Sequence, residues 1–237
     1  MQKPILFVIL AKLITIGHCL GQITFEPPEE PTQIQANRVS QPITIDGKLD
    51  EAGWQNAMPI TSFILKDPTQ GDTVSMPTEA RILFDGEYLY VGAICKTTNG
   101  RADIRTQNMQ RDFDYFQNDM FGIAIDGFLD KRNAMAFQTN PHGTQREILV
   151  MDAQIFNREW SGLWKVRTQI LDSAWIAEMA IPWKTLRYPP NCDKVGIILT
   201  RNIRSNNEYV SFPAVPRAFI VYRMQYEAKL SGIEPRT

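Results

Sequence analysis

The sequence predicts an all-β fold, an antiparallel β-sandwich with one or two short helices. Short segments rich in β-branched and aromatic residues recur at intervals of a dozen residues or so. Turn-forming sequences rich in Gly, Asn, Asp and Pro separate them, while helical periodicity is scarce. Since 43% of the 237 residues are hydrophobic, the chain has enough apolar material for one core.

The first 21 residues are typical of a signal peptide. Lys3 precedes an apolar stretch over residues 5–16, and small residues lead up to Gly21. The stretch is shorter than the about 20 residues that a membrane-spanning helix needs. His18 disfavours lipidation of Cys19. We therefore predict an exported protein of the bacterial periplasm or cell surface, with no transmembrane segment in the mature chain.

Three further regions follow the signal peptide. Residues 22–42 are rich in Pro, Gln, Glu and Thr and predict a leader without regular structure. Residues 43–233 form the predicted domain, and residues 234–237 a tail. A short helix is predicted over residues 50–54 with Asp50 as its N-cap, and a second over residues 101–109.

The predicted strands account for most of the domain. A hairpin turning at Asp85 and Gly86 joins the first two of these segments. After the segment at 174–181, Pro182 ends the strand and residues 183–186 form a helical turn. The predicted strands are 80–84, 88–95, 120–125, 135–139, 148–151, 165–170, 174–181, 195–200, 209–212 and 225–230.

Composition and motifs exclude several classes of function. The 25 basic and 26 acidic residues give a net charge of −1, which indicates no nucleic-acid partner. No phosphate-binding glycine motif occurs. After residue 21, His142 is the only histidine and lies in a turn, so zinc binding and a catalytic triad are disfavoured. Cys95 and Cys192 either form one disulfide or are buried as thiols.

Two functions remain open on the residues alone. A glycoside hydrolase needs only two carboxylates, for which the chain offers several acidic residues in turns and at strand ends. The candidates are Asp112, Asp114, Asp119, Asp126, Glu147 and Asp152. The alternative is carbohydrate binding without catalysis, because five Trp, seven Tyr and twelve Phe supply rings on which sugar faces pack. The loop at residues 126–133 is rich in oxygen ligands of the kind calcium takes.

Several segments together resemble the family 9 carbohydrate-binding modules. Residues 45–54, with the sequence IDGKLDEAGW, are similar to the opening segment of that family. Residues 84–91, 118–126, 137–143 and 175–186 are similar to its later segments, in the same order. The resemblance covers residues 43–233. It implies a non-catalytic β-sandwich that holds the end of a glucan or xylan chain between two aromatic rings, with structural calcium nearby.

The resemblance also implies which residues bind the sugar. The first ring falls at Phe116, where the family has Trp, and a family Arg falls at Gln138. The second ring falls at Phe219 or Tyr222, and Asp119, Asn140 and Trp160 complete the predicted ligand-binding set. Phe offers a smaller stacking face than Trp, and Gln lacks the charge-assisted bonds of Arg.

Residues 186–188 and 230–233 are most similar to modules found at the amino end of envelope proteins that continue as an outer-membrane β-barrel. The predicted partners are therefore a carbohydrate and an outer-membrane β-barrel, as partner or continuation. The predicted function is binding of a xylan- or glucan-type saccharide in carbohydrate catabolism. The alternatives are a protein-interaction module of an outer-membrane assembly and a glycoside hydrolase.

Overall fold

The computed structural model describes Glu26, residues 28–107 and residues 109–235. The predicted signal peptide lies outside the described residues. Two β-sheets pack face to face, which confirms the predicted all-β sandwich. In the part of the chain that the structure describes, no helix is long and apolar enough to cross a membrane.

The described residues form fourteen strands and one α-helix. The helix, α1, is Ala52–Asn56, and single 3-10 turns are formed by Gly100–Asp103, Tyr115–Gln117, Trp183–Thr185 and Met224–Tyr226. The strands are β1 (Gln33–Gln35), β2 (Asn37–Arg38), β3 (Ile64–Asp67), β4 (Thr78–Phe84), β5 (Tyr88–Lys96), β6 (Met120–Asp126), β7 (Ala134–Thr139), β8 (Gln145–Met151), β9 (Ile155–Asn157), β10 (Lys165–Ile170), β11 (Ala174–Pro182), β12 (Lys194–Ile203), β13 (Glu208–Phe212) and β14 (Ala228–Ser231).

The larger sheet has nine strands and the smaller has five. The larger runs β1-β14-β12-β6-β7-β8-β9, with β13 also beside β12 and β3 beside β13. The smaller runs β10-β11-β5-β4-β2. Their neighbouring strands are antiparallel, except that β1 joins β14 and β2 joins β4 in parallel. Both exceptions come from the predicted leader, so residues 33–38 add one short strand to each sheet.

The two predicted helices differ from those observed. Helix α1 has Glu51 at its N-cap and not Asp50, and neither side chain caps it there, because the Glu51 carboxylate accepts the Thr44 amide at 3.0 Å. The helix predicted over residues 101–109 is wrong. The chain makes one 3-10 turn, Gly100–Asp103, where the Asp103 carboxylate accepts the amides of Thr98 and Asn99 instead of starting a helix.

Apolar side chains fill three separate clusters. The main core lies between the sheets and contains Trp175 and Trp164. A second cluster covers the outer face of the five-stranded sheet, where Trp54 packs over Leu83 and Tyr90. A third covers part of the outer face of the nine-stranded sheet, beneath residues 214–226. Cys95 and Cys192 are both free and buried.

Candidate functional site

A cleft of about 540 Å³ opens on the outer face of the nine-stranded sheet. Its size falls in the range usual for small-ligand sites. Because side chains alternate along a strand, the residues of β8 and β7 that face outward include Arg146, Ile148 and Gln138. Strands β3, β8, β9, β12 and β13 line the cleft, together with the 3-10 turn at Tyr115–Gln117 and the loop at residues 217–222.

A hydrogen-bonded row of side chains forms the floor. Gln138 on β7 lies opposite Arg146 on β8, and Gly122 on β6 lies opposite Gln138. The Arg146 guanidinium donates to the Gln138 carbonyl oxygen, and the Gln138 amide donates to the Tyr222 hydroxyl. A Cβ on Gly122 would lie 2.8 Å from Cγ of Gln138. Because Gly122 has no side chain, the Gln138 side chain has room to lie across β6.

Phe116 forms one aromatic wall of the cleft. Its side chain is 63% exposed, although large apolar side chains are usually covered. The Asp114 carboxylate accepts the Phe116 amide at 3.0 Å and caps the 3-10 turn. The Tyr115 ring packs beneath it with ring centres 4.0 Å apart. The 3-10 turn and the Tyr115 ring therefore hold the Phe116 side chain in a defined, solvent-exposed position.

Phe219 and Tyr222 lie on the loop that borders the other side of the cleft. Phe219 is 39% exposed, and its ring stacks with Tyr226 at 5.9 Å between centres. The Arg223 guanidinium lies 5.1 Å from the centre of the same ring. Tyr222 is buried, with its hydroxyl on Gln138. Phe219 therefore supplies the accessible ring, and Tyr222 supports the floor.

Among the charged residues that line the cleft, basic side chains outnumber acidic ones. Lys66, Arg146, Arg158, Arg204 and Arg217 all line it, whereas Asp67 is the one acidic residue among the described lining residues. The Asp67 carboxylate pairs with Lys66 at 3.5 Å and with Arg217 at 2.9 Å. The cleft consequently carries an excess of positive charge in a chain whose net charge is −1.

Four predicted site residues do not line the cleft: Gln138 is buried beneath its floor, and Asp119, Asn140 and Trp160 lie elsewhere. Asp119 is buried, and its carboxylate accepts the backbone amides of Arg105 and Arg204. Its burial raises the pKa of this carboxyl to about 6. Asn140 is buried, and its side-chain oxygen accepts the His142 amide at 3.0 Å in the following turn. Trp160 packs edge-on against the core residue Phe137 at 5.8 Å.

Some lining residues were absent from the predicted set. Arg146 and Tyr115 are the main examples, with the Arg146 guanidinium carbon 5.0 Å from the centre of the Tyr115 ring. The signal for Arg146 was present in the sequence, since it precedes Ile148 by two residues and so shares its face. Arg158 and Arg204 lie in or next to turns, where the sequence does not indicate toward which surface a side chain points.

The six carboxylates considered for glycoside hydrolysis do not line the cleft. Five of them have structural partners. Asp114, Asp119 and Asp126 accept backbone amides, Glu147 accepts from Trp164 and Arg111, and Asp152 pairs with Arg132. A pair of carboxylates facing one ligand, which retaining and inverting mechanisms both need, is therefore not formed by the described lining residues.

The oxygen-rich loop at residues 126–133 uses its carboxylates in hydrogen bonds. Asp126 uses both carboxylate oxygens to accept the amides of Phe128 and Lys131. Asp130 likewise accepts the amides of Arg132 and Asn133. Across residues 28–107 and 109–235, no three His, Cys, Asp or Glu side chains gather as metal ligands. The carboxylates of Asp126 and Asp130 therefore bond to backbone amides of their own loop.

Comparison with known proteins shows the family of the chain. The profile described as "Carbohydrate family 9 binding domain-like" matches residues 45–209, well over half of the chain. The chain belongs to this family. Domains of the carbohydrate family 9 binding type are binding modules. A search of curated protein sequences found no match.

Solved structures of this type share the fold. A family 9 carbohydrate-binding module from Caldicellulosiruptor kristjanssonii, in complex with glucose, is 15% identical with a TM-score of 0.61. The alignment covers 87% of this chain and 97% of that one. The same module is known in complex with cellotriose. A Bacteroides uniformis protein proposed to bind carbohydrate is 11% identical with a TM-score of 0.63, covering 85% of this chain and 99% of that one.

Proposed function

We propose that the protein is a non-catalytic carbohydrate-binding module that holds a saccharide in the cleft of the nine-stranded sheet. One observation carries the proposal: the exposed rings of Phe116 and Phe219 line the same cleft, above a floor of hydrogen-bonding side chains. Sugar rings present apolar C–H faces and polar edges, and this arrangement complements both.

Each part of the site has a separate role in this proposal. Phe116 and Phe219 provide apolar faces on which sugar rings pack. Arg146 offers N–H donors toward sugar hydroxyl groups, whereas the Asn202 amide donates to the backbone carbonyl oxygens of Tyr115 and Asn118 and so supports the cleft wall. Gln138 and Tyr222 act as positioning residues, because their hydrogen bonds fix Arg146 on the floor. Asp119 and Asn140 support the surrounding backbone, and Trp160 supports the core beside β7.

The substrate class and the location of the protein are further parts of the proposal. The glucose and cellotriose bound by the Caldicellulosiruptor module support a glucan- or xylan-type saccharide. The segment at residues 1–21 supports export to the periplasm or the cell surface. An outer-membrane β-barrel partner or continuation, and a role in carbohydrate catabolism, rest on the resemblance of residues 186–188 and 230–233.

The test is titration calorimetry of the protein with xylan, glucan and their oligosaccharides. We expect saturable binding that weakens about tenfold in Phe116→Ala and Phe219→Ala, because each loses a stacking face. Phe128→Ala is the matched control, since Phe128 is 55% exposed but does not line the cleft. Aryl glycosides are expected to show no turnover.

A folded protein that binds no saccharide of the panel would overturn the proposal. That result would favour the protein-interaction alternative. Equal affinities in Phe116→Ala, Phe219→Ala and the parent would leave carbohydrate binding in place and move it away from this cleft.

A further inference from the structure

Arg146 is a buried cation at the floor of the cleft. Its side chain belongs to a residue only 6% exposed, and arginine stays charged at all accessible pH values. The partners of its guanidinium are the neutral Gln138 carbonyl oxygen and the Tyr115 ring. Among the described residues no carboxylate forms an ion pair with it. A buried charge without an opposite charge is costly to the folded protein.

Two more arginines add to this charge. Arg158 is exposed and lines the cleft without an ion pair in the described chain, and the Arg204 guanidinium donates to the neutral amide oxygen of Asn207. Burial raises the pKa of the Tyr222 hydroxyl, while the charges of Arg146 and Arg158 act to lower it. Arg146, Arg158 and Tyr222 all line the same cleft.

The positive charge is local to the cleft. The whole chain has 25 basic and 26 acidic residues, so a general excess of base does not explain it. Asp67 does not balance it, because Lys66 and Arg217 already pair with this carboxylate. A neutral sugar would leave Arg146 without an opposite charge, whereas an oxyanion on the sugar would accept two parallel N–H bonds from a guanidinium.

We infer that the cleft selects an acidic saccharide, whose carboxylate or sulfate group binds Arg146 and Arg158 while its ring packs on Phe116. The inference rests on the proposed function and narrows it to one class of sugar. Carboxylate and sulfate share the chemistry that the arginines recognise, namely oxygen atoms that carry negative charge and accept charge-assisted hydrogen bonds.

The experiment compares matched pairs of oligosaccharides by calorimetry at low and high salt. The probes are a xylo-oligosaccharide with and without a glucuronic acid substituent, a galactan oligosaccharide with and without sulfate, and an oligoglutamate peptide. We expect at least one acidic sugar to bind about tenfold more tightly than its neutral counterpart, with an advantage that shrinks as salt rises. The pair with the larger ratio of acidic to neutral affinity shows whether the cleft prefers a carboxylate or a sulfate group.

Variants connect this preference to the arginines. Arg146→Gln and Arg158→Gln are each expected to reduce the acidic-to-neutral affinity ratio severalfold, while binding of the neutral sugar changes less. Arg187→Gln is the control, because Arg187 is exposed and lies outside the cleft. Since Arg158 is also exposed, its variant keeps the fold even where Arg146→Gln does not, and thermal unfolding checks both.

The outcomes separate this inference from the proposed function. Equal binding of acidic and neutral sugars overturns the inference and leaves the proposed function standing. Absence of binding to every saccharide, with the fold intact, overturns both. Oligoglutamate binding as tight as that of the acidic sugars overturns the inference in favour of an acidic protein partner. If the acidic-to-neutral affinity ratio is unchanged in Arg158→Gln and in folded Arg146→Gln, the two arginines do not cause the preference for acidic sugars and the inference is overturned.

Discussion

Glu227 is a carboxyl group for which folding provides no hydrogen-bond partner. It is 3% exposed, and neither of its oxygen atoms has a hydrogen-bonding neighbour in the described chain. It lies against the backbone of β12, where a Cβ on Gly196 would be 2.0 Å from Oε2. Burial raises the pKa of this carboxyl to about 8, with a further rise from the charge of Asp126 and an opposing effect from Lys131.

This shift makes the stability of the protein depend on pH. The ordinary pKa of a glutamate is 4.5, so between pH 4.5 and about 8 the folded state keeps a proton that the unfolded state releases. The free energy of unfolding therefore falls as pH rises through this window. Each unit of pKa shift corresponds to about 1.4 kcal/mol, so the total fall is a few kcal/mol. Above about pH 8 the Glu227 carboxyl is ionised in both the folded and the unfolded state, so its effect on the free energy of unfolding no longer changes with pH.

We predict that Glu227→Gln removes the part of the pH dependence that Glu227 contributes, so that the free energy of unfolding falls less steeply with pH, because the amide does not ionise. The measurement is urea unfolding of parent and variant at several pH values between 4.5 and 8.5. Asp119 and Glu178 also have raised pKa values, but they contribute equally to both proteins. Glu87→Gln is the control at an exposed position and should keep the parent slope. Parallel curves for parent and Glu227→Gln would contradict the prediction.

At the scale of elements, the segments that resemble the family most clearly hold the fold together and do not form the cleft. Glu178 on β11 accepts the backbone amides of Asp46 and Gly47 at 2.9 and 2.8 Å, and the Trp54 indole N–H at 3.1 Å. One carboxylate thus fixes the segment at residues 45–54 to the outer face of the five-stranded sheet. Gly47 has φ of +91°, which explains a glycine in this turn.

We predict that Glu178→Gln destabilises the protein by about 1–3 kcal/mol, because the NH2 group that replaces one carboxylate oxygen cannot accept the N–H bonds made to that oxygen. Urea unfolding at a pH near 8 is the measurement, since burial raises the pKa of Glu178 to about 7 and the group is ionised there. Saccharide affinity should not change, because the cleft lies on the other sheet. A loss of affinity without a loss of stability would contradict this division between the sheets.

The sequence predicts strands well where they have a long alternating or apolar pattern. The predicted strand at 165–170 matches β10, and the hairpin of β4 and β5 differs by one or two residues at its ends. The strands β1, β2, β3 and β9 have two to four residues each and lack such a pattern, so pairing with a neighbour determines them. The predicted strand at 225–230 begins later, at Ala228, after a 3-10 turn.

The residues of the cleft are predictable only in part, because the local sequence pattern fixes neither the ends of strands nor the partners of polar side chains. The family resemblance implies aromatic rings at Phe116 and at Phe219 or Tyr222, and all three residues line the cleft. Arg146 was missed because the strand predicted at 148–151 began three residues after the start of β8 at Gln145, which left Arg146 outside it. Asp119 and Asn140 have the residue types of a sugar site, but their side chains bond nearby backbone amides. Sequence does not show which partner a polar side chain takes.

At the scale of the whole molecule, each sheet has an outer face that needs a cover. Ile43, Trp54 and Ala57 cover the five-stranded sheet. On the nine-stranded sheet, Val221, Tyr222 and neighbouring residues cover only part of the outer face, and the polar remainder is the floor of the cleft. The site therefore lies where the cover of a sheet is incomplete, which explains how a fold with little helix presents a concave surface.

The segment at residues 33–38 links the two sheets at their edges. Its strands β1 and β2 pair with β14 and β4, which belong to different sheets. Additional backbone bonds run from Ala36 to Ser231 and from Val39 to Phe84, both at 2.9 Å, and Ala36 is buried. A region with the composition of a leader therefore forms an edge strand of each sheet and pairs with the backbone of β14 and β4, which would otherwise be open to association between molecules.

We predict that a chain starting at Ile43 is less stable than one starting at Glu26 by about 2–5 kcal/mol. The loss follows from several backbone hydrogen bonds of about 0.5–1.5 kcal/mol each and from the apolar contacts of Ala36. Urea unfolding of the two proteins measures it, and size-exclusion chromatography should show more association for the shorter one. Equal unfolding midpoints would mean that the sheets hold their edges without residues 33–38. In that case Ile43 would mark the start of the folded domain, because the pairing of β1 and β2 would contribute nothing to its stability.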